Sequence, residues 1–414
     1  MKVGLHPALN DAHVDANQGS TQRQLSIGVS AIAAGGQERS VPLNLCLVLD
    51  HSGSMSGRPL ETVKKAAMHL IERLNRGDRI SVVAFDHRAK VLVPNQIIDN
   101  LDDVKKQIQR LSADGGTAID EGLKLAIEEV AKGKQDTVSQ VFLLTDGENE
   151  HGDNKRCLKL AEVATSYKLT LNTLGFGANW NQDILEKIAD AGGGTLSYIE
   201  RSEQAIDEFA RLFQRAQSVQ LTNAYLLMDL MPQVRLAELK PIAQVAPDTI
   251  ELPVQQEGDR YVVRLGDLMT DAERVILANL YIGQLSVGRQ AIANLQVRYD
   301  DPAFGQEALL SPIVSVEAEV QGVYQPAPNP DVQKSILALA KYRQTQLAEA
   351  KLQQGDRAGA ATMLQTAAKT AIQLGDQGAA TVLQTNATRL QAGEELSEAD
   401  RKKTRIVSKT ILQE

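Results

Sequence analysis

LNLCLVLDHSGSM occupies residues 43–55 and decides how the rest of the chain is read. Seven residues, all apolar except Asn44, run without a polar alternation before Asp50 stops them. A continuous apolar run of this length reads as a strand buried on both faces, and such strands belong to parallel sheets covered by helices. After Asp50, hydroxyls follow at Ser52 and Ser54, on alternate positions. A strand has no need of a carboxylate and two hydroxyls at its end, so the stretch carries chemistry as well as fold.

The neighbouring sequence alternates in the same way. RPLETVKKAAMHLIERLN (58–75) places Leu60, Val63, Ala67, Leu70, Ile71 and Leu74 at helical spacing. Strand-like runs recur at 79–86, 140–146, 169–177 and 195–200, and helical runs at 101–111, 118–132, 156–167, 181–194 and 202–216. Strands alternating with helices of this length predict right-handed crossovers and a doubly wound sheet. The flanks differ. Residues 21–34, 224–231, 260–268, 274–283, 291–301 and 311–320 alternate with period two and have no helices between them, as in an antiparallel sandwich. The N-terminal strand has no apparent partner before residue 41, so it is expected to pair with the later strands. VYQPAPNPDVQ (323–333) is a Pro-rich linker, and an Ala/Gln-rich helical region follows, with Gly355-Asp356 and Gly375-Asp376 as a short internal repeat.

The expected fold class is α/β: a doubly wound, mainly parallel, Rossmann-like sheet inserted in a β-sandwich, plus a C-terminal α-helical region. The expected domains are 1–40 (N-terminal strands of a discontinuous sandwich), 41–217 (the α/β domain), 218–322 (the rest of the sandwich) and 331–414 (helices).

Composition narrows the partners. The chain has 414 residues and a net charge of -8, which disfavours nucleic acid, whose phosphates want a basic face. No apolar run reaches the roughly 20 residues of a membrane span, and the N-terminus lacks an apolar signal core. Cys46 and Cys157 are isolated and read as small core residues in a reducing compartment, so the expected location is the cytoplasm.

Three polar strand ends fall at comparable places: Asp50-x-Ser52-x-Ser54, Thr117 after Gly115-Gly116, and Asp146 before Gly147. In open α/β sheets, ligands bind beyond the carboxyl ends of the strands at the topological switch point. The donor set is two carboxylates and three hydroxyls, hard oxygens suited to Mg²⁺ or Mn²⁺ rather than zinc. Asp50 and Asp146 only just neutralise a divalent ion. Such an ion, with a coordination position to spare, attracts an external carboxylate. Helix capping is the plain alternative for Asp50 and Asp146, but five oxygen side chains at three strand ends exceed what caps need.

DHSGSM (50–55), GGT (115–117) and LLTDG (143–147) resemble the three loops of the von Willebrand factor A domain and its metal-ion-dependent adhesion site. The resemblance covers about residues 41–216. It implies that Asp50, Ser52, Ser54, Thr117 and Asp146 are the metal-site residues, some binding directly and others through water. It also implies a protein-binding module in which a partner's Asp or Glu completes the coordination shell. The whole chain is also similar, less specifically, to bacterial and inter-alpha-inhibitor-like proteins with β segments and a helical tail after this domain. Beside Asp146, Glu148 is a candidate for steering a metal-bound water, or a plain surface residue. Gly115 and Gly116 serve the tight turn, and Gly116 is grouped with Glu148 on the ligand side.

Rival readings remain. An EF-hand would place Gly, not Met55, at its sixth position and would follow a helix. A Mg²⁺-dependent hydrolase would use Asp50 or Ser52 as nucleophile, with His51, His87 or His151 as base. Phosphoryl transfer, however, wants a second acid where Ser52 stands. A scaffold could bind through its tail, where DRKKTRIVSK (400–409) is basic. The expectation is a non-enzymatic, metal-dependent binding module of unstated oligomeric state.

Overall fold

The computed structural model describes residues 2–32, 41–177 and 179–409, with Ser202 described by its backbone only. Residues 33–34 of the expected N-terminal strand, 35–40 of the first expected domain and 410–414 of the expected helical region lie outside the described residues. The chain divides into two compact units. One is Met1–Ala34, Ala224–Arg298 and Leu310–Glu414; the other is Gly35–Asn223 with Tyr299–Leu309.

The second unit holds the α/β sheet. Its strands lie in the order Ala89–Ile97, Arg79–Phe85, Leu43–Asp50, Val138–Thr145, Thr170–Phe176, Gly193–Ile199. All pairs are parallel except the outermost, Ala89–Ile97 against Arg79–Phe85. Every residue of Leu43–Asp50 and of Val138–Thr145 is buried, which is why neither strand shows a polar alternation. The chain leaves Leu43–Asp50 toward Arg79–Phe85 on one side and returns to Val138–Thr145 on the other. The gap between the carboxyl ends of Leu43–Asp50 and Val138–Thr145 is therefore the switch point of the sheet.

The helices press closely on this sheet. In Ile119–Lys132, a Cβ added at Gly122 would stand 2.8 Å from Phe85 Cδ1 and 3.2 Å from Val48 Cγ1. Leucine there gains about 1 kcal/mol of helix propensity but has no room. We expect Gly122→Leu to lose a net 1–2 kcal/mol, roughly, in urea unfolding, because overpacking costs more than the propensity returns. Cys46 and Cys157 are both free and lie in the core of this unit, where burial pushes each thiol up to about 12.

Two further sheets, the β-sandwich, and the C-terminal helices make up the first unit, apart from residues 219–223 and 299–309, which cluster with the second. One sheet runs Lys2–Leu9, Ser20–Ile32, Arg274–Gly283, Ile242–Ala246, Ile250–Glu251, with Val234–Leu236 beside Arg274–Gly283. The other runs Val254–Glu257, Arg260–Met269, Val219–Leu230, Gly288–Asp301, Val314–Gln321, His13–Asp15, with Gln306–Leu310 beside Gly288–Asp301. Ser20–Ile32 pairs over ten residues with Arg274–Gly283, so residues from both sides of the α/β insertion share a sheet. One expectation is corrected here. The N-terminal strand does have a partner before residue 41, because Lys2–Leu9 pairs with it antiparallel along its whole length. Gly4 and Pro7 hide that strand in the sequence. Proline is tolerated there because Lys2–Leu9 is an edge strand.

After the linker come helices Pro330–Gln353, Arg357–Gln373, Gln377–Gln391 and Glu398–Lys409. Each Gly-Asp pair of the repeat does the same work. Gly355 and Gly375 both take φ +80°, closing one helix, and Asp356 and Asp376 cap the next by accepting from Gly359 N (2.8 Å) and Ala379 N (2.9 Å). Alanines such as Ala360, Ala367 and Ala387 fill the shared core, so the helices approach closely. Among the described residues no helix is long and apolar enough to cross a membrane.

Candidate metal centre

The first loop leaves the sheet at Asp50, whose side chain is fully buried. Its Oδ1 accepts from Ser52 N at 2.8 Å and its Oδ2 from Thr145 Oγ1 at 2.5 Å. Met55, wholly buried, pins the far end of the loop, and the helix Arg58–Ile71 follows after Gly57 at φ +78°. Ser52 Oγ lies 3.0 Å from Ser54 Oγ, and Ser54 Oγ donates to Asp146 Oδ1 at 2.7 Å. The first and third loops thus meet through their polar side chains.

The second loop is fastened from both sides. Asp114 N donates to His51 O, Gly53 N to Gly115 O, and His151 N to Thr117 O, each at 2.9 Å. Gly115 adopts φ +72°, a conformation open to glycine, and a Cβ on Gly116 would overlap the His151 ring. These constraints deliver Thr117, which is buried. Its Oγ1 is the atom nearest to a Cβ built on Gly147 (3.1 Å), with Ser54 Oγ next at 3.8 Å. Among the described residues Thr117 Oγ1 makes no hydrogen bond. All five sequence-selected oxygen side chains therefore converge on one spot at the switch point. Gly116 lies beside that spot, and Glu148 stands exposed beyond Asp146.

Burial pushes the Asp50 carboxyl up to about 6, against the pull of its bonds from Thr145 and Ser52; the Asp146 charge adds to the rise. Burial also raises Asp146, which Ser54 partly offsets. Two carboxylates this close, one of them fully buried, are poorly compensated by hydroxyls alone. A divalent cation reverses that balance. The orphaned Thr117 hydroxyl and the all-oxygen donor set fit a hard cation of the Mg²⁺ or Mn²⁺ type.

Other groups have settled roles. His51 is buried, with Nδ1 3.0 Å from Ser112 O and Nε2 3.8 Å from Asp86 Oδ2, so it faces the second loop and the neighbouring strand end. Ser52 Oγ is hydrogen-bonded to Ser54 Oγ, not to a histidine. Two residues of the site escaped the sequence reading. Thr145 binds Asp50 directly, and Asn149 Oδ1 accepts from Ile119 N at 2.7 Å, locking the third loop to the helix after Thr117. Thr145 had a visible signal: it is the hydroxyl that ends an otherwise apolar run immediately before Asp146. Asn149 had none, because its partner is a backbone group 30 residues away.

Residues 44–212 match the model of the von Willebrand factor type A domain, and residues 330–414 match that of the Sll0103-like C-terminal alpha-helical domain. The chain is 62% identical over 413 residues to the Synechocystis protein sll0103, covering all of this chain and 98% of that one. It is 27% identical over 194 residues to human inter-alpha-trypsin inhibitor heavy chain H4, covering 44% of this chain and 21% of that one. In fold it is similar to a von Willebrand factor type A protein from Catenulispora acidiphila, with a TM-score of 0.81 and 17% identity over 99% of this chain and 97% of that one.

Proposed function

We propose, since the chain belongs to the von Willebrand factor type A domain proteins that end in a Sll0103-like helical domain, that it is a metal-dependent protein-binding module. The type A domain is a module that often mediates protein–protein interaction. Asp50, Ser52, Ser54, Thr117 and Asp146 would hold Mg²⁺ or Mn²⁺, directly or through water. When bound, the ion supplies a Lewis-acidic position for a carboxylate from outside. The chain's own residues do the rest. Asp50 and Asp146 give the negative charge, Thr145 and the Ser52 backbone orient Asp50, and the three fastened loops keep the hydroxyls in place. Gly116 and Glu148 stand at the mouth, on the partner's side.

The observation that carries this reading is the convergence of two carboxylates and three hydroxyls from three loops on the switch point, with the Thr117 hydroxyl set against Gly147 near Ser54. The partner we propose is a protein presenting Asp or Glu, not nucleic acid, and the role is binding without turnover. The two buried, free cysteines accord with a reducing compartment, which we propose is the cytoplasm.

The test uses the metal-stripped full chain. Calorimetric titration with Mn²⁺ and Mg²⁺ is expected to show one saturable site, and an Asp-containing peptide is expected to bind only afterwards. Peptide binding that is equal in Mn²⁺ and in EDTA removes the proposal.

A further inference from the structure

We infer that the acidic residue accepted at this site is a solitary one set among basic neighbours, and that Glu148 and Glu150 read those neighbours. The inference rests on the carboxylate-docking reading above and names the class of partner.

The argument is one of charge on the rim. Asp50 and Asp146 together cancel a divalent cation, so an incoming carboxylate leaves the centre with one net negative charge. Immediately past Asp146 the third loop exposes Glu148 and Glu150, and neither has an ion-pair partner among the described residues. A hydrogen bond of 2.8 Å from Glu150 N to Glu148 O folds the loop tightly, and both residues follow Asp146 within four positions. Asp114 adds a third exposed acid beside the glycine pair. The opposite flank carries the exposed His87, whose Nδ1 is the atom nearest to a Cβ built on Gly115 (2.4 Å), and the exposed Arg88.

The centre is therefore hungry for one carboxylate and hostile to a second on the side of the third loop. The orphaned Thr117 hydroxyl marks the ligand position independently of these acids. Unit charges on an exposed rim interact only modestly through water. Lysine or arginine flanks gain from Glu148 and Glu150, whereas glutamate flanks lose by a similar amount. Exposed pairs of this kind, summed over two acids and compared between opposite flanks, correspond to a preference of about tenfold.

Two synthetic peptides test this, equal in length, each with one central Asp, one flanked by lysines and the other by glutamates. Both are titrated into the Mn²⁺-loaded full chain, into the same chain in EDTA, and into Glu148→Gln/Glu150→Gln loaded alike. Among the described residues Glu148 and Glu150 make no side-chain hydrogen bond or ion pair, so the double variant is expected to fold. The expected result is about tenfold tighter binding of the lysine-flanked peptide, reduced to about twofold or less in the double variant and at high salt. Equal, metal-dependent binding of both peptides overturns this inference and leaves the docking reading standing. A preference that persists in EDTA overturns it as well, since the attraction then belongs to an acidic surface and not to the site. Failure of both peptides on a chain shown to hold Mn²⁺ removes the docking reading, and this inference with it.

Discussion

Asp50→Ala is expected to leave the chain folded and to remove the proposed Mg²⁺ and Mn²⁺ binding, with a loss of at least about 100-fold in affinity, beyond the roughly 10–100-fold typical of outer partners. The magnitude follows from what Asp50 supplies. It is one of two charges that would face the cation, it is fully buried, and both its oxygens are already oriented, by Ser52 N and Thr145 Oγ1. Neither Asp146, which is engaged by Ser54, nor His51, which faces Ser112 and Asp86, is placed to replace it. Asp146→Ala is expected to be comparably severe. Thr145→Val, which removes only the orienting hydroxyl, belongs to the class of outer partners whose loss costs about 10–100-fold. The grading is the informative part. Calorimetric titration of the parent and the three variants, with circular dichroism as the fold control, reads it directly. If Asp50→Ala binds Mn²⁺ like the parent, the five residues do not form the site.

The same carboxylate destabilises the metal-free fold at neutral pH. Its pKa is about 6 in the folded chain, against about 3.9 for an unperturbed aspartate. Below about pH 4 the carboxyl is protonated in both states, and well above pH 6 it is ionised in both. Between them the folded chain holds a proton that the unfolded chain has released, so stability falls as pH rises through that window. The fall amounts to roughly 2–3 kcal/mol, and the raised Asp146 adds to it in the same direction. Asp50→Asn keeps the shape and removes the charge. In EDTA at pH 7 it is expected to melt at a higher temperature than the parent, and near pH 4 the difference closes. Saturating Mg²⁺ reverses the order, because only the parent gains by binding. Thermal melts of both proteins at pH 4.5 and 7, with EDTA and with Mg²⁺, check all four corners. Parallel pH profiles for parent and variant would contradict the assignment of the shift to Asp50. The site is thus held against the preference of the bare fold, which is where function outweighs local stability.

How much of this was legible beforehand depends on whether the physical cause was local. The buried parallel strands showed as unbroken apolar runs because both faces are covered, and Asp50, Thr117 and Asp146 stood out because each interrupts such a run or a glycine turn. The discontinuous sandwich was legible from a change of period, two on the flanks against helical alternation between. What stayed hidden depends on partners distant in the chain. Lys2–Leu9 and Ala89–Ile97 each contain a proline, Pro7 and Pro94, that argues against a strand. Both are outermost strands, where a missing N–H costs little. Asn149 looked like loop filler because only the folded chain brings Ile119 N to it. The Gly-Asp repeat was visible as spelling, but its use, a left-handed glycine closing one helix and an aspartate capping the next, needed the backbone angles.

The central claim is that the five oxygen side chains hold a cation with a position open to an outside carboxylate. The most direct measurement is the water-proton relaxation of the Mn²⁺-loaded full chain during titration with a peptide bearing a single Asp. Water on the bound Mn²⁺ enhances relaxation, and a carboxylate that takes its place removes that contribution. The account predicts that the enhancement falls along the same curve as peptide binding and does not fall with the Asp→Asn peptide. Peptide binding at full strength with the enhancement unchanged would contradict it, because the carboxylate would then be docking somewhere other than on the metal.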